Sequence, residues 1–218
     1  MELQQDVVEE KTFGLLKSLM SEDFFSEFFL VGGTALALRL GHRKSIDIDM
    51  FTQGKIPVND VRKHLSEKYD FKEEFREKDT LKGEIDGVKV DFIRYDYPLL
   101  NPPETFDGNI RIASNEDIIA MKLATITDSG SRAKDFVDIA FLSKYYSLNQ
   151  MLDFYKTKFD GVNIFSATKA LVYFNDIDFS SEPVNLMHGK FEWAKVEARL
   201  IDMVRNPEKK IRNFPIFD

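Results

Sequence analysis

Two kinds of hydrophobic pattern run along this chain, and the change from one to the other divides it. Val7, Val8, Phe13, Leu15, Leu16 and Leu19 recur at helical spacing and predict an amphipathic helix over 3–20. Phe28-Phe29-Leu30-Val31 is a short apolar run suited to a strand. Gly32-Gly33 then turns the chain into a helix from Thr34 to Leu40, which Gly41 ends. Ser45 to Phe51 reads as a second strand, and Pro57-Val58-Asn59-Asp60 opens a helix running to about Tyr69. From Phe71 to Ile85 charged and apolar residues alternate, which predicts one or two strands. Asp86-Gly87 is a hairpin turn signal, with a strand at Val88 to Ile93 beyond it. Pro98 to Phe106 reads as a loop and Ile110-Arg111-Ile112 as a last short strand.

After Ser114 the period is helical throughout. Ser114 is a candidate N-cap with Asp117 three residues later. Helices are expected at about 115–127, 132–145, 148–158, 164–174 and 190–204, and Asn206-Pro207 begins a basic tail. The predicted class is α+β: a mixed sheet with helices over 1–113, then a helical half over 114–218.

Composition narrows this modestly. The chain has 218 residues, 43% hydrophobic and 31% charged, an ordinary globular balance. It has no cysteine, which excludes a disulfide scaffold and thiol chemistry. No apolar run is long enough to span a bilayer. The polar, acidic start Met1-Glu2-Leu3-Gln4-Gln5-Asp6 does not read as a secretion signal, so a cytoplasmic location is expected. A net charge of -7 argues against a broad basic face for nucleic acid and leaves room for a local patch. Arg39, Arg43, Lys44, Arg132 and Lys134 are the candidates for one.

The chemistry begins at Asp47-Ile48-Asp49. Two aspartates alternating in a strand point to one side, where a core would expel them unless a divalent cation sits between them. Asp91 is a third acid within an apolar strand. If that strand neighbours the first, three carboxylates meet, and hard oxygen ligands suit Mg²⁺ or Mn²⁺. Gly32 and Gly33 allow close approach of a phosphate, with the following helix start supplying N–H donors. Taken singly, each feature has a plain reading: a solvated acid pair, an outward strand aspartate, a tight turn. In the helical half Lys122 lies inside the apolar stripe of Ile118, Ile119, Leu123 and Ile126, so it must snorkel or meet an anion. Asp138 lies beside Phe141 and Leu142, where Lys122 or Lys134 is a plausible partner. Asp135 suits the first turn of its helix. His42-Arg43-Lys44 reads as a solvated basic loop placed to contact phosphate.

Together these residues resemble the nucleotidyltransferase superfamily, and within it the AbiEii/AbiGii toxin family, related to the MenT-type toxins. The resemblance rests on Gly32-Gly33-Thr34-Ala35-Leu36, Gly41, Arg43, Ser45 and Asp47-Ile48-Asp49, then Lys122, Arg132, Lys134-Asp135 and Asp138. It covers about 28–142. It implies a toxin of a toxin–antitoxin system, with a cognate antitoxin as partner, that moves a nucleoside monophosphate from an NTP to an acceptor hydroxyl. Related enzymes act on the tRNA acceptor end. It also implies a metal site at Asp47, Asp49 and Asp91. Nucleotide contacts would come from Gly32, Gly33, Thr34, Arg43, Ser45, Lys122 and Lys134. Asp47, Asp49, Asp91, Lys122 and Asp138 would form the catalytic set. The helical half would complete the active site and carry acceptor recognition. Two other readings stay open: a small-molecule or protein hydroxyl as acceptor, and a catalytically silent nucleotide-binding module.

Overall fold

The structure is a computed structural model that describes residues 2–180 and 183–210. The chain divides into two compact units. The first comprises residues 1–40, 45–98 and 102–113; the second comprises 41–44, 99–101 and 114–218. The chain therefore enters the second unit twice, briefly, before it passes there for good at Ser114.

The first unit is built on a seven-stranded mixed sheet: β1 (Phe29–Leu30), β2 (Ile48–Thr52), β3 (Phe71–Glu77), β4 (Thr80–Ile85), β5 (Val88–Arg94), β6 (Glu104–Phe106) and β7 (Ile110–Ile112). The spatial order is β3-β4-β5-β2-β1-β7-β6. β2 runs parallel to β5 and antiparallel to β1. The Asp86-Gly87 signal is realised as the β4–β5 hairpin, with both residues at positive φ (51° and 81°), as a tight two-residue turn demands. Leu81, Ile85, Val90, Phe92, Ile48 and Met50 alternate onto one face and are fully buried. Three helices complete the unit: α1 (Glu10–Met20), α2 (Gly32–Leu40) and α3 (Val58–Lys68). α1 packs on β7, and α3 packs on β3 and β4.

Sequence and structure differ at four places here. The expected helix over 3–20 is a 3₁₀ turn at Gln5–Val7 followed by α1. The expected loop at 98–106 contains the edge strand β6, whose three residues are too few and too exposed to show a period. The expected strand at Ser45–Phe51 starts only at Ile48. The buried Thr34 hydroxyl donates to the Asp47 carbonyl and contacts the Ser45 hydroxyl at 2.8 Å, which commits that backbone to the turn. Asp47 therefore precedes the strand rather than alternating within it. Arg39 is also buried: it contacts Glu104 at 3.2 Å and donates to the carbonyls of Ile112 and Ala113, so it presents no charge to solvent.

The second unit holds α4 (Asn115–Asp128), α5 (Ala133–Leu142), α6 (Leu148–Lys158), α7 (Ile164–Ala170) and α8 (Trp193–Arg205). The predicted cap is present, with the Ser114 hydroxyl accepting the Asp117 N–H at 3.0 Å. α7 and α8 are shorter than the patterns at 164–174 and 190–204 suggest. The end of the basic tail, 211–218, lies outside the described residues. α4 is the central helix, packing on α5, α6 and α7. Its first turn is fixed by Asp117, whose buried carboxylate accepts Lys158 Nζ at 2.6 Å and the backbone N–H groups of Leu100 and Asn101 at 3.0 and 3.2 Å. Burial pulls the Lys158 ammonium below its usual range, and the Asp117 carboxylate offsets part of that. Asp117→Asn leaves a buried ammonium without its counter-charge. We expect it to lower stability by about 3–5 kcal/mol in urea unfolding, with Lys158→Met in the same background recovering part of the loss.

Candidate active site

The sheet face opposite the core carries the acids of the first unit. Asp49 on β2 and Asp91 on β5 are register partners across the parallel ladder. Register partners on neighbouring strands lie on the same face, about 4.8 Å apart along the hydrogen-bonding direction. Both residues are intermediate in exposure, while Ile48, Met50, Val90 and Phe92 on either side are buried. Lys82 of β4 is the register partner of Asp91 on its other side, and its ammonium pairs with the Asp91 carboxylate.

Gly32 closes this face from the β1–α2 turn. Its φ is +72°, and a Cβ placed there would collide with the Asp49 carboxylate. The glycine is thus required twice, for the backbone conformation and for the approach to Asp49. Gly33 lies in the first turn of α2, beside Thr34. Thr34 and Ser45 are buried and bonded to each other, so their hydroxyls hold the 45–47 turn in place. Asp47 enters β2 from that turn. The Val31 N–H donates to the Asp49 carbonyl at 3.0 Å, which ties the glycine turn to the strand.

The acids fit a hard divalent cation by type, since Asp47, Asp49 and Asp91 offer carboxylate oxygens alone. Among the described residues, however, no group of three or more His, Cys, Asp or Glu side chains is arranged as a preformed metal cluster. The third acid, Asp91, is paired with the Lys82 ammonium instead.

The second unit gathers the remaining residues singled out in the sequence. Asp138 is fully buried on α5, and two cations and an imidazole converge on it. Arg43 makes a two-pronged contact, Nε to Oδ1 at 2.7 Å and Nη2 to Oδ2 at 2.9 Å. Lys122 Nζ of α4 lies 2.8 Å from Oδ2 and also pairs with Asp135. His42 Nε2 lies 2.8 Å from Oδ1. Burial opposes the Asp138 charge, but Arg43 and Lys122 hold its carboxyl well below the usual carboxylate range. Burial likewise pulls Lys122 down, and the Asp135 and Asp138 carboxylates outweigh it, so its ammonium sits above its usual range. Burial dominates at His42 and lowers it. Its Nδ1 is buried without a hydrogen-bond partner among the described residues, which agrees with a neutral ring donating through Nε2.

The basic loop at 42–44 is therefore not a solvated phosphate-facing loop. His42 and Arg43 are buried, and only Lys44 is exposed. The apolar stripe around Lys122 gave a true signal, because a lysine there needs an anion and finds two. Arg132 is exposed and Lys134 half-exposed at the start of α5. Sequence reasoning missed Lys82, whose role appears only once β4 and β5 are paired. It also gave Asp135 no partner beyond the helix turn.

A glycine turn entering a helix, one acid just before the following strand, a second within it and a third on the neighbouring strand make this face the candidate active site. The comparisons give the family. The family model described as "Nucleotidyl transferase AbiEii toxin, Type IV TA system" matches residues 14–106 and 68–213, and the chain belongs to that family of nucleotidyltransferases. The uncharacterized protein aq_aa25 of Aquifex aeolicus is 36% identical over 166 residues, covering 74% of this chain and 80% of the relative. Among solved structures, a Helicobacter pylori protein assigned provisionally as a nucleotidyltransferase superposes with a TM-score of 0.58 at 20% identity, covering 93% of this chain and 96% of that one. MenT4, a nucleotidyltransferase toxin of Mycobacterium tuberculosis, gives 0.56 at 14% identity, covering 90% and 84%. At these identities the two structures speak for the fold. No helix among the described residues is long and apolar enough to cross a membrane.

Two outcomes follow from this geometry. Gly32→Ala must either displace Asp49 or give up the +72° turn. We expect about 1–3 kcal/mol lower stability and loss of transfer activity, against a smaller effect for Gly33→Ala. The pH dependence has a definite sign. His42 has a lowered pKa in the fold, so as pH falls below about 6.5 the unfolded chain takes up a proton that the folded chain refuses. Stability then drops by up to about 1.4 kcal/mol per pH unit from this group, and His42→Gln removes that part of the slope. The Asp138 contribution is fully present above the ordinary carboxylate pKa and is lost only as pH falls through its depressed value. Chemical denaturation at a series of pH values reads both.

Proposed function

We propose that this chain is a toxin that transfers a nucleoside monophosphate from an NTP to the hydroxyl at the acceptor end of a tRNA, with Mg²⁺ or Mn²⁺ as cofactor and a cognate antitoxin as regulatory partner, in the cytoplasm. The observation that carries the reading is the juxtaposition of Asp49 and Asp91 across β2 and β5, with Gly32 packed against the Asp49 carboxylate. Family membership supplies the reaction class and the toxin context. The tRNA acceptor rests on the resemblance to the MenT-type toxins.

In this reading Asp47, Asp49 and Asp91 hold the metal, whose chemistry when bound is neutralisation of phosphate charge and acidification of the attacking hydroxyl. The chain's own residues do the rest. Gly32 and Gly33 leave the backbone open to the triphosphate, and N–H groups at the start of α2 donate to it. Thr34 and Ser45 keep the Asp47 turn in register. Lys82 shields Asp91 while the site is at rest, then turns to the incoming acceptor phosphate. Asp91 either accepts the proton of the attacking hydroxyl or acts only as a metal ligand that lowers its pKa, and pyrophosphate leaves as the new bond to the α-phosphorus forms. On the second unit Lys134 is the candidate for nucleotide contact, whereas Lys122 is buried between Asp135 and Asp138 and serves as their counter-ion rather than as a phosphate ligand. Arg43 contributes through its two-pronged contact with Asp138, which fixes the segment leading into Ser45.

A second reading takes a small molecule or a protein hydroxyl as acceptor. The net charge of -7 and the burial of Arg39 and Arg43 favour it, because both reduce the cationic surface offered to RNA. Incubation with labelled NTPs, Mg²⁺ and total tRNA separates the two. We expect labelled tRNA from the wild type and less than about a hundredth of that rate from Asp49→Asn. A wild type that labels no RNA overturns the tRNA acceptor.

A further inference from the structure

The acid row does not end at Asp91. Register pairing continues it outward through Lys82 on β4 to Phe75 on β3, so Asp49, Asp91, Lys82 and Phe75 share one face on four successive strands. Phe75 is 47% exposed. β3 is an edge strand whose sequence, Phe71-Lys72-Glu73-Glu74-Phe75-Arg76-Glu77, is otherwise charged after its first residue. A bare aromatic ring on an edge strand is a liability that folds usually avoid.

A bulge sets the ring there. Glu73 pairs with Gly83 and Phe75 pairs with Lys82, so Glu74 is the extra residue. Regular pairing from Glu73 onward would put Glu74 opposite Lys82, and would turn Phe75 to the other face opposite Leu81, which is fully buried. The inserted residue therefore moves a phenylalanine from the core side to the acid side. Bulges beside active sites commonly re-aim a side chain in this way. Two strand spacings, about 10 Å, separate the Phe75 and Asp91 positions across the sheet.

We propose that Phe75 is the stacking platform for the terminal base of an RNA acceptor, with Lys82 facing the adjoining phosphate. The assignment rests on the RNA-acceptor reading above. An aromatic face accepts any base, because every base has a π-face, and so it positions an RNA end without selecting its sequence. A protein or small-alcohol acceptor has no base to place there. The ring lies on the acceptor side of the acids, away from the Gly32 turn assigned to the donor triphosphate.

The test is transfer of labelled nucleotide by the full chain, with tRNA and NTP concentrations varied in turn, for wild type, Phe75→Ala and Phe75→Trp. We expect Phe75→Ala to raise the KM for tRNA about tenfold, with kcat and the NTP KM unchanged, and Phe75→Trp to restore it. A short RNA carrying 2-aminopurine as its last base gives a direct readout: its fluorescence is quenched on the wild type and on Phe75→Trp but not on Phe75→Ala. An unchanged tRNA KM together with retained quenching in Phe75→Ala overturns the proposal. So does an effect confined to the NTP KM, which would place the ring at the donor base. If the wild type labels a protein or small molecule and no RNA, the underlying reading fails and this one with it. If it labels RNA and Phe75→Ala is indifferent, only the assignment of Phe75 fails.

Discussion

A carboxylate with no access to water cannot stay charged unless cations surround it, and Asp138 is such a carboxylate. Arg43, Lys122 and His42 all close on it, and Asp135 shares Lys122. Those contacts tie α4, α5 and the segment 41–44 into one body. Truncating one member of such a network strands the others as buried charges, which costs far more than the network contributes as a whole. The cluster also answers a question that the sequence poses twice, once as a lysine inside an apolar stripe and once as an aspartate beside Phe141 and Leu142. Its neutral histidine accounts for one open valence, since a protonated ring would bury an unsatisfied N–H at Nδ1.

The first unit solves the opposite problem. Its acids face outward from the sheet, at the ends of rows whose other face is core. Charge repulsion between Asp49 and Asp91 is relieved on one side by Lys82. Asp49 and Asp91 would hold a divalent cation through carboxylate oxygens, and the cation would neutralise charge there. The same row, read one strand further, reaches Phe75.

Much of this was legible in the sequence. The strand periods at 45–51 and 88–93 found β2 and β5, the first three residues too early, the glycine pair placed the turn into α2, and the Ser114 cap placed the start of α4. What escaped was non-local. Asp117 and Lys158 lie 41 positions apart, and no spacing rule joins them. β6 is too short for a period. Asp47 leaves the strand because a threonine thirteen residues earlier bonds its carbonyl, not because of any residue beside it. His42-Arg43-Lys44 reads as surface by composition, and two of the three are buried because their counter-ion arrives from α5. The bulge at Glu74 defeats a count by twos, and with it the face on which Phe75 lies.

The most direct test of this account is whether the acid pair beneath Gly32 holds a metal–nucleotide complex. Electron paramagnetic resonance of Mn²⁺ bound with a non-hydrolysable NTP reads it. The account predicts one manganese environment with phosphorus coupling to the nucleotide in the wild type, lost in Asp49→Asn while the fold persists. Undiminished coupling in Asp49→Asn would contradict it, because the metal and its nucleotide would then lie elsewhere.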